Sequence, residues 1–387
     1  MALTHPVSIL TGGPGTGKTT CLKALISTLE AQDKRYALAS PTGRAAKRLS
    51  EATGRTASTI HRLLEFSPVE GFKRNDEHPL NIDFLVVDEA SMLDLLLTNH
   101  LLKAIRPGTH LLFVGDIDQL PSVGAGDVLR DLIHSDVAAL TRLTTIFRQA
   151  EGSEIITNAH RINQGQMPFF SKGERGDFYL FPSEDAAAAA DWLVDVVTER
   201  VPQKFGFDAL TDIQVLSPLY RGPAGVTILN ERLQAKLNPA AKGKAERNLY
   251  GTILRVGDKV MQTRNNYDKN VYNGDIGFIQ GIDLINQTLA VDFEGHPAEY
   301  EWSEADELNL AYAVSVHKAQ GSEFPVIVMP VVTQHYMMLQ RNLIYTAITR
   351  ARSLCVLAGN NKAIGIAVHN NKVAQRFSAL KMRLKMS

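Results

Sequence analysis

The stretch LTGGPGTGKTT, residues 10 to 20, has the residue types and spacing of a loop that holds a phosphate chain. Its glycines let backbone N–H groups approach phosphate oxygens, Lys18 can reach the β and γ oxygens, and the Thr19 hydroxyl can bind Mg²⁺. A short apolar run precedes the loop and a helical pattern follows it, as this mechanism requires. We therefore predict that a nucleoside triphosphate is bound by Gly12, Gly13, Pro14, Gly15, Thr16, Gly17, Lys18, Thr19 and Thr20.

Two adjacent carboxylates, Asp88 and Glu89, close a strongly apolar run at residues 84–87. In open α/β sheets, ligands bind where strands end at their carboxyl edge. We expect Asp88 to hold the Mg²⁺ shell and Glu89 to orient and deprotonate a water that attacks the γ-phosphate. The triphosphate is therefore predicted to be hydrolysed and not only bound.

Three further side chains are candidates for contact with the γ-phosphate. Gln119 follows another apolar run, in VGDIDQLPSVGAG, where an amide can sense that group. Arg148 and Arg350 carry guanidinium groups that can neutralise the charge developing during hydrolysis, although each can equally be a surface salt-bridge partner. If Arg350, from the carboxyl-terminal half, reaches a nucleotide held by the amino-terminal half, ATP closes a cleft that hydrolysis opens.

Apolar strands alternate with helical patterns along most of the chain, which predicts parallel sheets covered by helices on both faces. Residues 250–308 instead show short alternating segments separated by Gly, Asn and Asp, which predicts a small antiparallel β insertion. Residues 66–81 are interrupted by Pro, Gly and Asn and form either a protruding hairpin or a plain loop. We expect a first domain at residues 1–165 and a second at 166–387. Strands are predicted at 7–11, 36–40, 82–89, 110–116, 212–218, 324–332 and 353–359, and helices at 18–31, 43–53, 93–105, 184–200, 223–237 and 339–350.

Composition excludes several other classes of protein. The 387 residues are 44% hydrophobic and 21% charged, which is typical of two or three globular domains. No apolar run approaches the roughly 20 residues that cross a bilayer, and the first ten residues carry no export signal, so we expect a cytoplasmic protein without a membrane partner. The 2 cysteines and 11 histidines show no spacing that would build a disulfide framework or a zinc site.

Charge is balanced overall but uneven along the chain. Lysine plus arginine equals aspartate plus glutamate at 41 each, yet no acidic residue follows Glu323 while basic residues continue to Lys385. The carboxyl end therefore either faces an anionic partner or is a solvated basic helix.

The order of the motifs resembles the superfamily 1 helicases of the RecD-like class. This resemblance implies two RecA-like P-loop domains with parallel sheets, an SH3-like β insertion at residues 250–308 and a duplex-splitting hairpin at 66–81. It also implies ATP and Mg²⁺ as cofactors, a DNA single strand across the two domains, and translocation from 5′ to 3′. The motifs that carry it are GGPGTGKTT, ASPTGRAAKRL, TIHRLL, VVDEASM, VGDIDQLPSVGAGDVL, TIFRQ, AYAVSVHKAQGSE and NLIYTAITRAR.

The resemblance also implies a role for each matching residue. Gln119 and Arg148 would contact the γ-phosphate, Arg350 would be the arginine finger, and Gly321 and Glu323 would face the nucleotide. The single strand would be contacted by Pro41, Thr42, Arg44, Thr59, His61, Ser315 and His317. Such a set fits a groove that follows the phosphate backbone without reading bases.

The sequence departs from the family pattern at its start. RecD-like proteins generally carry a further amino-terminal region, whereas Met1 lies only six residues before the first predicted strand. The chain is then either a compact member or an excised motor. A glutamine often placed upstream of the P-loop for adenine recognition is missing, and Tyr220 and Arg221 are the substitutes that the sequence offers.

We predict an ATP-dependent 5′ to 3′ DNA helicase that acts as a monomer on single-stranded DNA and on duplexes with a 5′ tail. A translocase or ATP-gated clamp without duplex unwinding is the alternative, and a short or flexible segment at 66–81 would favour it. A P-loop switch or small-molecule kinase is a third hypothesis. Gln119 and Arg350 argue against it because they imply a two-lobed motor.

Overall fold

The computed structural model describes residues 1–145, 152–173, 175–372, 376 and 378–386. These residues form two compact units, Met1–Ile156 with Lys372–Ser387, and Thr157–Asn371. The boundary lies earlier than the predicted one after residue 165, because Asn158 holds the segment that follows it. Its side-chain amide donates to the Phe169 carbonyl at 2.6 Å and accepts from the Phe169 N–H at 2.8 Å. The carboxyl-terminal segment, which we placed in the second domain, packs with the first unit.

The first unit contains a six-stranded parallel sheet in the order β3-β2-β6-β7-β1-β8. The predicted strands are confirmed as β1, β2, β6 and β7, whereas β3 and β8 were not predicted because neither is a continuous apolar run. The strands are β1 (Val7–Gly12), β2 (Tyr36–Ser40), β3 (Ala57–Thr59), β6 (Phe84–Val87), β7 (His110–Gly115) and β8 (Ala139–Leu143).

Alternate residues of these strands are buried in two separate cores. Ile9 and Phe113 belong to one core, while their neighbours Leu10 and Leu112 belong to the other. Because successive side chains of a strand point to opposite faces, both faces of this sheet are covered. The helices are α1 (Lys18–Ala31), α2 (Gly43–Thr53), α3 (Ile60–Leu63), α4 (Leu95–Lys103) and α5 (Val128–Ser135), with a 3-10 turn at Ala90–Met92 and a carboxyl-terminal helix at Leu380–Met386.

The segment predicted as a hairpin or a loop contains a short hairpin. Strands β4 (Phe66–Ser67) and β5 (Gly71–Phe72) pair antiparallel, and Gly71 has a φ of 76°, which glycine adopts without strain. The Phe66 and Phe72 rings lie 4.8 Å apart between centroids. The hairpin is therefore anchored by its aromatic base, with only two residues in each strand.

The second unit contains a five-stranded parallel sheet in the order β18-β10-β19-β20-β9. Its strands are β9 (Phe178–Pro182), β10 (Ile213–Ser217), β18 (Ala313–Ser315), β19 (Phe324–Val331) and β20 (Ala351–Gly359). Its helices are α6 (Glu154–Asn163), which begins before the boundary, α7 (Ala186–Asp195), α8 (Val201–Phe205), α9 (Val226–Leu237), α10 (Arg341–Ile348) and α11 (Asn361–His369). A π-helical turn at Val196–Arg200 interrupts the predicted helix 184–200, and 3-10 turns lie at Trp302–Glu307, Val316–Ala319 and Thr333–Met338. Among the described residues of both units, no helix is long and apolar enough to span a bilayer.

The predicted antiparallel insertion is confirmed as a five-stranded sheet in the order β16-β15-β14-β13-β17. The fully buried Asp258 carboxylate joins this insertion to α9, since it accepts hydrogen bonds from Gln234 and Asn238 at 2.6 Å each and from Tyr312 at 2.8 Å. The strands are β13 (Lys259–Gln262), β14 (Ile276–Asp283), β15 (Thr288–Phe293), β16 (His296–Glu301) and β17 (Leu308–Leu310), preceded by the hairpin of β11 (Glu246–Leu249) and β12 (Thr252–Arg255).

Candidate functional site

The predicted phosphate loop joins the carboxyl end of β1 to the amino end of α1. A Cβ on Gly12 would lie 2.8 Å from the Leu143 carbonyl oxygen and 2.7 Å from the Thr16 hydroxyl, so only glycine fits. Gly15 and Gly17 have φ values of 71° and 86°, in the left-handed region that favours glycine. The glycines therefore turn the chain tightly and aim the first amides of α1 at the loop, where they can bind an anion.

Lys18 points back into this loop. Its ammonium donates to the carbonyl oxygens of Gly12 at 2.6 Å and Gly13 at 3.0 Å, and Thr16 donates to Gly13 at 2.8 Å. Pro14 completes the loop, while Thr19 and Thr20 lie exposed in the first turn of α1. The structure thus brings together all nine residues predicted to hold phosphate.

Asp88 and Glu89 leave the carboxyl end of β6, on the same edge of the sheet as the phosphate loop. Burial, reinforced by the charge of Glu89, raises the pKa of Asp88 to about 6, and the charges of Lys18 and Arg48 oppose that shift. Glu89 has a φ of 52°, and its carboxylate lies 3.8 Å from the Arg48 guanidinium. A cation beside Asp88 would relieve the cost of burying its negative charge.

Gln119 lies on the loop after β7, beside the same turn. Its buried amide donates to the Asp116 carboxylate at 3.3 Å. A Cβ on Gly115 would approach the Ala90 and Ser91 amide nitrogens to 3.2 Å, so the end of β7 packs directly on the turn that follows Glu89. The predicted sensor and the carboxylate pair therefore belong to one packed set of loops.

A residue that the sequence analysis missed holds the remainder of this loop. The Arg376 guanidinium donates to the carbonyl oxygens of Ser122, Gly124 and Gly126, the last at 2.8 Å. The chain therefore returns to the first unit after residue 371 and binds the loop that begins with Gln119.

The first group of predicted strand-contacting residues shares this carboxyl edge. Ser40 and Thr59 are paired across β2 and β3, so Pro41, Thr42 and Arg44 follow one strand and His61 follows its neighbour. The Thr42 and Thr59 hydroxyls accept hydrogen bonds from the Ala45 and Arg62 amides and cap α2 and α3. Their side chains thus have a structural role at the positions where DNA contact was predicted.

His61 lies against the hairpin. Its ring is 5.4 Å from Phe66 and 5.6 Å from Phe72 between centroids. Burial lowers the pKa of His61, which favours the neutral ring near pH 7. Any contact it makes with nucleic acid then involves hydrogen bonding or stacking more than charge.

The nucleotide-facing residues predicted in the second unit lie at the amino edge of its sheet. Gly321 and Glu323 precede β19, and Arg350 precedes β20. Arg350 is 2% exposed, and its guanidinium donates to the carbonyl oxygens of Thr346 and Ser322, each at 3.2 Å. Glu323 pairs with the exposed Arg352 at 3.0 Å. Arg148, the other predicted arginine, lies outside the described residues.

Ser315 and His317 lie at the opposite, carboxyl edge of that sheet. Ser315 ends β18 opposite Ser217, and its hydroxyl accepts from the Lys318 amide at 3.3 Å. Six residues of strand separate this level from the start of β19, or about 20 Å at 3.3 Å per residue. The Tyr220 hydroxyl lies 3.4 Å from that of Ser315, so Tyr220 belongs to this edge and not to the edge predicted to face the nucleotide.

Three family profiles match consecutive parts of the chain. A profile described as an AAA domain covers residues 1–125, and one described as a UvrD-like helicase C-terminal domain covers residues 310–358. Between them, the SH3 domain of ATP-dependent RecD-like DNA helicases matches residues 229–293. The profiles follow the order of the first unit, the insertion and the second sheet.

A curated relative decides the family. The RecD subunit of the RecBCD enzyme from Mycobacterium tuberculosis is 31% identical over 420 residues, covering 100% of this chain and 72% of that protein. The chain belongs to the RecD-like helicase family. The ATP-dependent RecD2 DNA helicase of Deinococcus radiodurans is 39% identical over 376 residues, or 97% of this chain and 50% of the relative. This RecD-like chain therefore spans about half the length of that protein.

Solved structures of Pif1 helicases share the fold of this RecD-like chain. Pif1 from Candida albicans aligns with a TM-score of 0.55 at 21% identity, over 94% of each chain. Bacteroides Pif1 bound to single-stranded DNA aligns with a TM-score of 0.53 at 21% identity, over 92% of this chain and 89% of that one. The resemblance to the RecD-like class and the predicted fold class are confirmed.

Two functional candidates in the site escaped the sequence analysis. Arg48 was detectable, because it lies four residues after Arg44 and therefore on the same face of α2. Arg376 was not, because its partners lie about 250 residues earlier and no local pattern marks it. Contacts of this kind depend on the folded chain alone.

Proposed function

We propose that this chain is the motor of an ATP-dependent DNA helicase that moves from 5′ to 3′ along a single strand. The observation that carries the proposal is the shared carboxyl edge in the first unit, where the phosphate loop lies with Asp88, Glu89 and Gln119. Membership of the RecD-like family supports DNA as the polymer on which the motor acts.

The first unit would bind the triphosphate through the loop and Lys18. A phosphate group replaces the Gly12 and Gly13 carbonyl oxygens as the partner of the Lys18 ammonium, and the first amides of α1 donate to its oxygens. The Lys18 ammonium then pairs with a negatively charged phosphate in place of two neutral carbonyl oxygens.

Magnesium fits the donor set at this edge. The described residues contain no cluster of three or more His, Cys, Asp or Glu side chains that could hold a metal ion. Thr19 and Asp88 supply one hydroxyl and one carboxylate, and Mg²⁺ commonly binds through one or two carboxylates together with substrate phosphates. When bound, the ion supplies positive charge that neutralises the phosphate oxygens. That charge would also favour the ionised form of the Asp88 carboxylate.

Glu89 would act as the general base. Its carboxylate is held by the left-handed turn and by Arg48, and it follows directly from the proposed metal ligand. It orients a water and accepts its proton as the water attacks the γ-phosphate. Gln119 and Arg148 would contact the γ-phosphate, so both contacts would be lost when that phosphate is released.

Arg350 would supply the arginine finger from the second unit, with Gly321 and Glu323 beside the nucleotide. To do so its guanidinium must exchange its contacts with Thr346 and Ser322 for phosphate oxygens. Arg350→Ala should lower ATP turnover roughly 10³-fold or more if it is a finger. The matched control is Arg232→Ala, which removes a partly exposed guanidinium of the same unit that pairs with Asp191, and it should cost less than about tenfold. Equal effects of the two substitutions would remove the finger role.

A single strand would cross the carboxyl edges of both sheets. Pro41, Thr42, Arg44, Thr59 and His61 would meet it in the first unit, and Ser315 and His317 in the second. The Thr42 and Thr59 hydroxyls accept from helix amides and keep their own protons to donate, and such neutral donors suit a phosphate backbone read without base specificity. Binding should still weaken as salt rises, because Arg44 and other cations displace counterions.

The test measures ATP hydrolysis with and without single-stranded DNA, then strand release from duplexes that carry either a 5′ or a 3′ tail. We expect stimulated hydrolysis and release from the 5′-tailed duplex alone. Glu89→Gln should keep binding of both ligands and lose roughly 10²- to 10⁴-fold in turnover, since an amide cannot accept the proton. A rate of ATP hydrolysis that single-stranded DNA does not change would contradict the proposal, and so would strand release from the 3′-tailed duplex alone.

The two-residue strands of the hairpin favour a second candidate, an ATP-driven translocase that does not separate duplexes. A hairpin this short offers little surface for splitting a duplex. Stimulated hydrolysis without release of either tailed strand would establish that function instead.

We further propose that the motor acts as a monomer, which light scattering of the chain with and without a DNA strand will check.

A further inference from the structure

A cavity of about 370 Å³ lies within the second unit, where α9, the β insertion and the end of β18 meet. Ligand pockets commonly range from about 300 to 1,000 Å³, so this one suits a single small group. Its lining includes the apolar side chains of Val226, Met261 and Leu310, together with polar side chains such as Thr227, Asn309 and the carboxylate of Glu231. Such a lining accepts a flat heteroaromatic ring without demanding one pattern of hydrogen bonds.

Tyr220 stands at the mouth of this cavity with 54% of its surface exposed. Its backbone is fixed, because its carbonyl oxygen accepts from the Thr227 amide at 3.1 Å and Val226 donates to Leu219 at 2.9 Å. A Cβ on Gly225 would lie 2.7 Å from the Tyr220 carbonyl oxygen, so the turn leaves no room for a side chain there. An exposed ring on a rigid turn loses little entropy when another ring stacks on it.

Two polar residues of the same cavity face the proposed path of the strand. The Ser315 hydroxyl lies 3.4 Å from that of Tyr220, and the Lys318 ammonium donates to Asn273 at 2.8 Å. The cavity therefore opens beside the residue at which the strand is expected to cross this unit. Adenine recognition by Tyr220 is disfavoured by the same geometry, since Glu323 and Arg350 lie at the other edge of the sheet.

We propose that Tyr220 and this cavity bind one unstacked nucleobase of the single strand. The Tyr220 ring stacks on the base, the cavity receives its far edge, and Ser315 and Lys318 meet the adjoining sugar and phosphate. Every base has a flat face, so the site tolerates any sequence as a translocating protein requires. This inference rests on the proposed function, because it assumes that a strand crosses the Ser315 edge.

The experiment compares the affinity of the whole chain for an oligothymidylate and for an abasic strand of equal length, by fluorescence anisotropy. Wild type should bind the strand with bases more tightly. Tyr220→Ala should weaken that binding about five- to 150-fold, the range that stacking on one aromatic side chain supports, and change abasic binding less than about twofold. Tyr220→Phe should behave like wild type, since it keeps the ring.

The control variant is Phe169→Ala, which removes another exposed ring of the same unit that does not line the cavity. It should leave the ratio of the two affinities unchanged. Equal binding of both strands by wild type, or the same loss of base-dependent affinity in Phe169→Ala as in Tyr220→Ala, overturns the nucleobase site. Failure to bind either strand overturns the proposed function itself.

A second measurement locates the base. A strand carrying 4-thiothymidine is irradiated on the protein, and the crosslinked peptides are identified by mass spectrometry. We expect crosslinks within residues 220–234, 251–263 or 309–318, which line the cavity. Crosslinks confined to other segments would show that the base lies elsewhere, even if Tyr220 contributes to affinity.

Discussion

Arg376→Ala should release the loop that carries Gln119. In the native chain one guanidinium donates to the carbonyl oxygens of Ser122, Gly124 and Gly126 and to the Ser122 hydroxyl. Serine and glycine carbonyls at this position have no helix or strand of their own to hold them. The substitution therefore removes the bonds that join three residues of the loop segment 122–126 to the carboxyl-terminal segment.

The magnitude follows from the number and exposure of these bonds. A hydrogen bond to a charged group contributes about 1.5 to 3 kcal/mol, but bonds that share one donor group are not additive. The Arg376 side chain is half-buried, so water can replace part of what is lost. We expect the free energy of opening this loop to fall by about 2 to 4 kcal/mol, which corresponds to roughly 30- to 800-fold more frequent opening.

Hydrogen–deuterium exchange measures this opening directly. The Gln119 amide donates to the Asp116 carbonyl, and the Leu95 amide donates to Ala125 within the same loop. Peptides covering residues 93–97 and 117–131 should therefore exchange faster in Arg376→Ala. Both tryptophans, Trp192 and Trp302, lie in the second unit, so the midpoint of unfolding followed by their fluorescence should stay unchanged.

Two further variants test whether the effect is specific to the Arg376 guanidinium. Arg376→Lys keeps the charge, but one ammonium cannot reproduce the planar fork, so it should restore less than half of the lost protection. Arg383→Ala removes an exposed arginine from the carboxyl-terminal helix and should change exchange less than about twofold. If Arg376→Ala leaves the loop peptides within twofold of wild type, or if Arg383→Ala has the same effect, the clamp is refuted.

Three other predictions concern single side chains. Cys21 is exposed and Cys355 is buried, and burial together with the charge of Asp177 raises the pKa of the Cys355 thiol. A maleimide should therefore label one cysteine in the native chain and two after unfolding. Rapid labelling of both cysteines in the native chain would contradict this. Asp258→Ala leaves three buried donors without their carboxylate and should lower the stability of the second unit by about 3 to 5 kcal/mol, measured by tryptophan fluorescence in urea. Burial lowers the pKa of His61, so the stability that its neutral ring contributes is complete above its unfolded pKa of about 6.5 and lost as the pH falls below it. Thermal unfolding followed by circular dichroism between pH 7.5 and 5.5 should therefore be less pH-dependent in His61→Gln, and an unchanged slope would reject this assignment.

The sequence predicted the elements whose apolar residues run without interruption. Strands β6, β7 and β19 are buried on both faces, and such strands stand out because each has at least four consecutive apolar residues with no polar residue between them. The short strands β3 and β18 escaped because three residues carry too little pattern. Strand β8 alternates between half-buried and exposed residues at the edge of its sheet, so its sequence is not distinctive either.

The candidate site divides in the same way. The phosphate loop and the Asp88–Glu89 pair are local in sequence, and their chemistry can be predicted from residue type and spacing. The hydrogen-bond partner of each side chain cannot be predicted from the local sequence, because it depends on the order of the strands in the sheet. The burial of Arg350 and the capping role of Thr59 follow from neighbours that only the fold supplies.

The segment between Ser315 and Glu323 is the physical link between the two edges of the second sheet. Ser315 ends β18 at the carboxyl edge, and Glu323 precedes β19 about 20 Å away at the amino edge. The Arg350 guanidinium donates to the Ser322 carbonyl within this segment. If Arg350 leaves Ser322 to contact a phosphate, that carbonyl loses its charged donor while Ser315 still caps the 3-10 turn ahead of it. Because one short, mostly buried stretch of backbone joins the two ends, we propose that a change at the edge expected to face the nucleotide reaches Ser315, the residue expected to contact the strand.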